Sequence, residues 1–193
     1  FFLQFKDSAS TTTIGYDTSG NSNNFTTSGI SVTAGATFDQ MLDTPTLNYC
    51  TLNPLDVTSG SFSNGNLSYA LNAGRGARGT IFMSTGKWYF EAVITAGTNP
   101  EYAIFGIQRN SGSLGYYGGT SQLPDGYGYY GINGNKITGT TSTSYGNAFT
   151  TNDVIGVAYD LDAGKVWFSK NGTWQASGDP AAGNNAAFTS ITA

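Results

Sequence analysis

The stretch "DVIGVAYDLDAGKVWFSKNGTW", Asp153 to Trp174, constrains the fold more than any other part of the chain. Ile155, Val157 and Tyr159 alternate with Val154, Gly156 and Ala158, and β-branched and aromatic residues predominate, which is the period of a strand. Residues 160–164 supply turn chemistry. Lys165 to Ser169 then form a second strand, with Val166 and Phe168 on one face and Trp167 on the other. Asn171-Gly172 closes the next connection, because this pair accepts the positive φ angles of a tight turn at little steric cost. The stretch predicts a meander of antiparallel strands.

The rest of the chain extends that pattern. Phe1, Leu3 and Phe5 face one way, as in a strand, and up to about Val57 strand-like pieces are separated by Ser/Thr/Asn/Gly loops. Asp17, Ser19, Gly20 and Asn21 favour an ordered loop leading into Phe25. A helical turn is expected over Thr37 to Leu42, and a short strand from Asn48 to Leu52 stopping at Pro54. Beyond Gly60, strands are expected near 67–71, 78–83, 88–96, 102–108, 128–132, 135–139, 154–160, 165–170 and 188–191. No segment has the pattern of an amphipathic helix. Short strands with turn signals every ~8–12 residues argue for two packed antiparallel sheets. No fixed-period repeat supports a propeller or solenoid.

Composition narrows the partners. Eight basic and 12 acidic side chains in 193 residues give a net charge of −4, with no basic footprint for nucleic acid or an anionic membrane. No run approaches the ~18 apolar residues of a membrane span, so membrane insertion is not expected. "FFLQFKD" lacks the plan of a signal peptide, and Phe1 begins inside strand-like text, so a fragment or processed piece of a longer chain is expected. The single Cys50 cannot form an intrachain disulfide and reads as a small buried hydrophobe.

The chain has no histidine, which removes Ser-His-Asp and Cys-His chemistry and the usual zinc sites. Paired carboxylates are the remaining catalytic option, from Glu91, Glu101, Asp125, Asp153, Asp160 and Asp162. Turn chemistry already accounts for Asp153, Asp160 and Asp162, so no catalytic residue and no cofactor are assigned. Asp17, Ser19 and Asn21, followed by Asn23, alternate as calcium ligands could, but one carboxylate with no later bidentate Glu favours a self-bonded loop. Binding is better served by "NSGSLGYYGGTSQLPDGYGYYG", Asn110 to Gly131, where tyrosines offer amphipathic contact area and Gly and Ser let the backbone adapt. Tyr116, Tyr117 and Gln122 are the candidate contacts there. Tyr127 joins them as the candidate nearest the following strand, where it, Tyr129 and Tyr130 have local packing as the competing reading. Arg75 and Arg78 in "AGRGARG" form a weaker anion candidate beside the reading as a solvated turn.

Four pieces stand in a recognisable order: "GKWYFEAVI", "AIFGIQ", "YGYYGINGNK" and the 153–174 stretch. Together they resemble the successive core strands of the SPRY family, a concanavalin-like, jelly-roll-like β-sandwich. The resemblance implies an all-β fold of two antiparallel sheets with little or no helix. It divides the chain into an N-terminal β/loop extension, 1–58, packing on a sandwich, 59–193, that ends before the strand or two usually completing the sheet. An open edge there would need cover, which another chain could supply. "IGYDTSGNSNNFTTSGISV" with "MLDTPTLNYCTLNPLD" is similar to a segment preceding SPRY-like domains in virion proteins of tailed phages, and "DTSGNSNNF" also resembles a phrase of laminin-G-like sandwiches. These resemblances imply a non-catalytic structural or binding protein of a phage tail fibre, spike or capsid exterior, at the virion or extracellular surface. The implied partners are other virion subunits or a second copy of itself, and a host-surface glycan or protein. A bacterial surface or secreted carbohydrate-binding module and a self-assembling filament subunit are the alternative readings.

Overall fold

A computed structural model of the chain describes residues 1–7, 9–32, 48–70, 76–97, 99–112, 114 and 123–191. The chain forms two compact units, Phe1–Ile81 and Phe82–Ala193. The expected helical turn at 37–42 lies outside the described residues. No helix among the described residues is long and apolar enough to cross a membrane.

In the first unit, the expected strand at Phe1 to Phe5 reduces to one antiparallel bridge, Leu3 to Asp17, because Phe5 turns to φ +51° and breaks the extended run. Strand β1 (Leu52–Val57) pairs antiparallel with β4 (Ala77–Gly79), while β2 (Ser61–Ser63) and β3 (Ser68–Ala70) form a hairpin around stacked Phe62 and Tyr69 rings, 5.0 Å apart. The strand expected from Asn48 to Leu52 does not form: residues 48–51 are not in a strand, β1 starts at Leu52 and continues past Pro54, and Cys50, expected to be buried, is exposed. Pro54 sits where the β1–β4 register slips, so its missing N–H removes no ladder bond.

The second unit is a two-layer sandwich. One sheet is built from β5 (Lys87–Val93), β10 (Val154–Asp160) and β11 (Lys165–Lys170), with the short β12 (Thr173–Trp174) and β13 (Phe188–Thr189) both on the outer edge of β11. The other runs β6 (Ile104–Gln108), β7 (Leu123–Tyr130), β8 (Lys136–Gly139) and β9 (Thr141–Thr143). Every pairing is antiparallel. The alternation read in the sequence sets the layers: Ile155, Val157, Tyr159, Val166 and Phe168 point inward and meet Tyr129 and Phe149 in one buried cluster. Asn171 (φ +49°) and Gly172 (φ +77°) make the two-residue turn between β11 and β12. Gly156 is required for a different reason. A methyl group there would collide with the Ser169 Oγ and the Tyr89 hydroxyl, which lie over it on the outer face.

Residues 175–191 are tied down by polar bonds more than by strands. Trp167, almost fully buried on the outer face, donates its indole N–H to Asn184 O at 2.7 Å. Lys165 Nζ donates to Gly183 O at 2.8 Å and Lys136 Nζ to Ala187 O at 2.5 Å, while Lys170 Nζ ties the segment before β10 through Ala148 O at 2.7 Å. Lys136 also lies over the Phe188 ring, 5.1 Å from its centroid.

Phe168 is fully buried and packs on Tyr129 with nearly parallel rings, centroids 5.6 Å apart. Phe168→Ala is therefore expected to lower unfolding free energy by about 3–5 kcal/mol in urea titration, the ordinary cost of an aromatic-sized cavity. A loss below about 1 kcal/mol would place the centre of the core elsewhere.

Candidate functional site

The most irregular point of the sandwich is the start of β7. Tyr127 pairs with Thr138 and Leu123 with Gly139, so four steps along β7 match one along β8 and the intervening residues bulge out. Asp125, inside the bulge, adopts φ +53°, a left-handed conformation that costs a non-glycine residue free energy. The bulge is held from the other side by the Arg109 N–H, which donates to Asp125 O at 2.9 Å. A shallow cleft of about 400 Å³ opens beside it, lined by Arg109, Asp125, Gly126, Tyr127 and the turn Thr138–Thr141.

The cleft offers a guanidinium, an exposed carboxylate and the hydroxyls of Thr138, Thr140 and Thr141. Among the described residues that set donates and accepts hydrogen bonds and includes one carboxylate. Asp153, Asp160 and Asp162, also singled out in the sequence, are engaged in turns. Asp153 Oδ2 accepts from the Thr150 N–H and Oδ1 from Asn171 Nδ2, and Lys170 lies 3.1 Å away. Asp160 accepts from the Ala163 N–H and Asp162 from the Gly86 N–H. Glu91 accepts from the Tyr89 hydroxyl at 2.6 Å.

The predicted site residues scatter. Tyr127 lies in the cleft wall and also packs its ring on Phe188, 5.2 Å away. Tyr129 is fully buried, and Tyr130 packs near Tyr102. Tyr116, Tyr117, Gln122 and Arg75 lie outside the described residues. Arg78 is no solvated turn residue: it stands in β4 with its side chain largely buried and ion-paired to Asp56 at 2.7 Å. Arg109, Thr138, Thr140 and Thr141 were not singled out by sequence, and Asp125 only as a carboxylate. The available signal was "LPDG" beside a strand, which read as a loop because Pro and Asp-Gly favour turns.

Asp17 is nearly buried, and its oxygens face donors. Oδ1 accepts from the Phe2 and Ser19 N–H groups, and Oδ2 from the Ser19 hydroxyl and the Asn23 N–H. Four donors fill the roughly four acceptor positions of a carboxylate, which leaves none directed at a cation. Asn21 Nδ2 donates to Ser19 Oγ at 3.1 Å. Among the described residues no group of three or more His, Cys, Asp or Glu is placed to hold a metal. The bond from Phe2 foremost, then those from Ser19 and Asn23, holds the Asp17 carboxyl well below the usual carboxylate range.

The second unit is thus a two-layer antiparallel sandwich with a shallow polar cleft at one end of the β6–β9 sheet. Residues 87–191 match the SPRY domain, and the chain belongs to that family. It is 32% identical over 103 residues to the dual specificity protein kinase splA of Dictyostelium discoideum, a match covering 51% of this chain and 4% of that protein. Among solved structures it resembles the SPRY domain of human HERC1, with a TM-score of 0.52 and 19% identity, covering 74% of this chain and 83% of that one. A further human SPRY domain matches 55% of this chain and 71% of its own, with a TM-score of 0.39 and 21% identity. The SPRY-type β-sandwich is thus the fold of this chain.

Two outcomes follow from this geometry. Asp125→Gly relieves the left-handed strain, so unfolding free energy is expected to hold or rise by up to about 1 kcal/mol while the cleft loses its carboxylate; a marked loss would show that the carboxylate supports the fold. Because the folded pKa of Asp17 is depressed, its stabilisation is complete above its unfolded value near 3.8 and is lost as pH falls through the folded one. Asp17→Asn is expected to lower Tm at pH 7 and to flatten the decline of Tm below pH 4, whereas a calcium chelator leaves Tm unchanged. A fall in Tm with chelator would restore the calcium reading.

Proposed function

We propose that this chain is a non-catalytic binding module whose recognition face is the bulged end of the β6–β9 sheet, carried on the exterior of a phage virion. The observation that supports it best is Asp125, held in a strained conformation in the lining of a cleft that Arg109 and three threonines also line. Strain kept at a surface position, beside groups that donate and accept hydrogen bonds, fits ligand recognition better than scaffolding. The Gly/Tyr-rich sequence 110–122 runs directly into this bulge, and its composition suits adaptable contact. The virion setting draws on the likeness of "IGYDTSGNSNNFTTSGISV" and "MLDTPTLNYCTLNPLD" to segments preceding SPRY-like domains in tailed-phage particles. A charge-poor surface rich in Ser, Thr, Asn and Gly is in keeping with that exposure.

Binding of the purified chain to a glycan array and to intact bacterial cells tests the recognition face. Arg109→Ala and Asp125→Gly are each expected to weaken whichever interaction is found by about tenfold or more, since each removes a charged hydrogen-bonding group from the cleft. Undiminished binding by both variants would move the face elsewhere. An antibody against the chain is expected to decorate the outside of intact particles. Failure to label them, with sugar binding by the isolated chain, would favour a secreted carbohydrate-binding module.

A further inference from the structure

Strand β5 ends its sheet: among the described residues it pairs with β10 on one side and with no strand on the other. Its side chains are unusually apolar for such a position, with Trp88 44%, Tyr89 53% and Val93 48% exposed. The backbone parity is also defined. Gly86 O accepts from the Leu161 N–H, and Trp88, Phe90 and Ala92 stand opposite Tyr159, Val157 and Ile155 in the same alternation. The even-numbered residues therefore direct their backbone groups to β10, and Lys87, Tyr89, Glu91 and Val93 direct theirs to the open edge.

We propose that this edge pairs with β5 of a second copy of the chain, antiparallel and centred on Tyr89, so that two sandwiches share one continuous sheet. Charge selects both the occupant and the register. Centred on Tyr89, Lys87 lies directly opposite Glu91 of the second copy, and the two-fold repeats the pair. Centred on Lys87 or Glu91, like charges would face each other. Centred on Trp88 or Phe90, neither charge meets its opposite. The Tyr89 register also sets Trp88 opposite Phe90 of the second copy on the inner face, an aromatic cross-strand pair. Both charges are accessible: the Lys87 side chain is 73% exposed with only a 3.5 Å contact to Asp160, and Glu91 is exposed, with its Oε1 accepting from Tyr89. A lysine can also serve at an edge simply to discourage association. That role needs no matching carboxylate four residues on, and the experiment separates the two.

Sedimentation velocity over a dilution series is expected to show a reversible dimer. Lys87→Glu and Glu91→Lys are each expected to weaken dimerisation by about tenfold or more, and the double exchange to restore it, because the pair is then reversed and still complementary. Amide exchange at Tyr89 and Glu91 is expected to slow as concentration rises. A chain monomeric at all concentrations, a dimer indifferent to both single exchanges, or failure of the double exchange to restore it would each overturn the proposal. So would protection of those two amides in the dilute monomer, which would show that the chain covers the edge itself. The proposal is independent of the cleft's role, and Arg109→Ala is expected to leave dimerisation unchanged.

Discussion

The second unit is organised around the ring of Tyr129. It is fully buried and stands between Phe149 at 5.0 Å, Phe168 at 5.6 Å and Tyr145 at 5.8 Å, so one side chain from β7 joins the two sheets. A buried phenol needs a partner for its proton, and the Tyr129 hydroxyl donates to Asn147 O, fixing the segment that precedes β10. Burial also pushes the phenol well above its usual range, so it stays neutral and donating. With β7 anchored at this end, the strand can depart from regular pairing four residues earlier at Asp125 without loosening the core.

Much of this architecture is written in local periodicity. Residues 154–160 and 165–170 alternate so regularly that their strands, their inward faces and the Asn171-Gly172 turn follow directly from the text. The candidate site was harder to read for the same physical reason that it is a site. Pro124, Asp125 and Gly126 have turn-forming preferences, and pairing with β6 and β8 draws this segment into a strand, with the conflict absorbed by a bulge. Thr138, Thr140 and Thr141 carry no distinctive pattern, and only the β8–β9 turn brings them to Arg109. Pro54 was misread likewise, because a sequence cannot show which strand positions lack a ladder bond.

Carboxylates in this protein are largely architectural. Asp17 gathers two separate loop segments, and Asp153 joins the entry of β10 to the turn after β11. Asp56 holds Arg78 within the first unit. Against that background Asp125 differs, since it is exposed in a backbone conformation that disfavours it.

The lysines are used in a similar way. Three of the chain's five, Lys136, Lys165 and Lys170, donate to backbone carbonyls. Contacts between an ammonium and a neutral oxygen at 2.5–2.8 Å lie far inside the roughly 8 Å over which physiological salt screens charge. Lys136 and Lys165 thereby secure the segment after β12, and Lys170 the segment before β10, by short charge–dipole contacts that mobile ions barely weaken. With only three ion pairs among the described residues to screen, this part of the fold has little to lose between fresh water and brine.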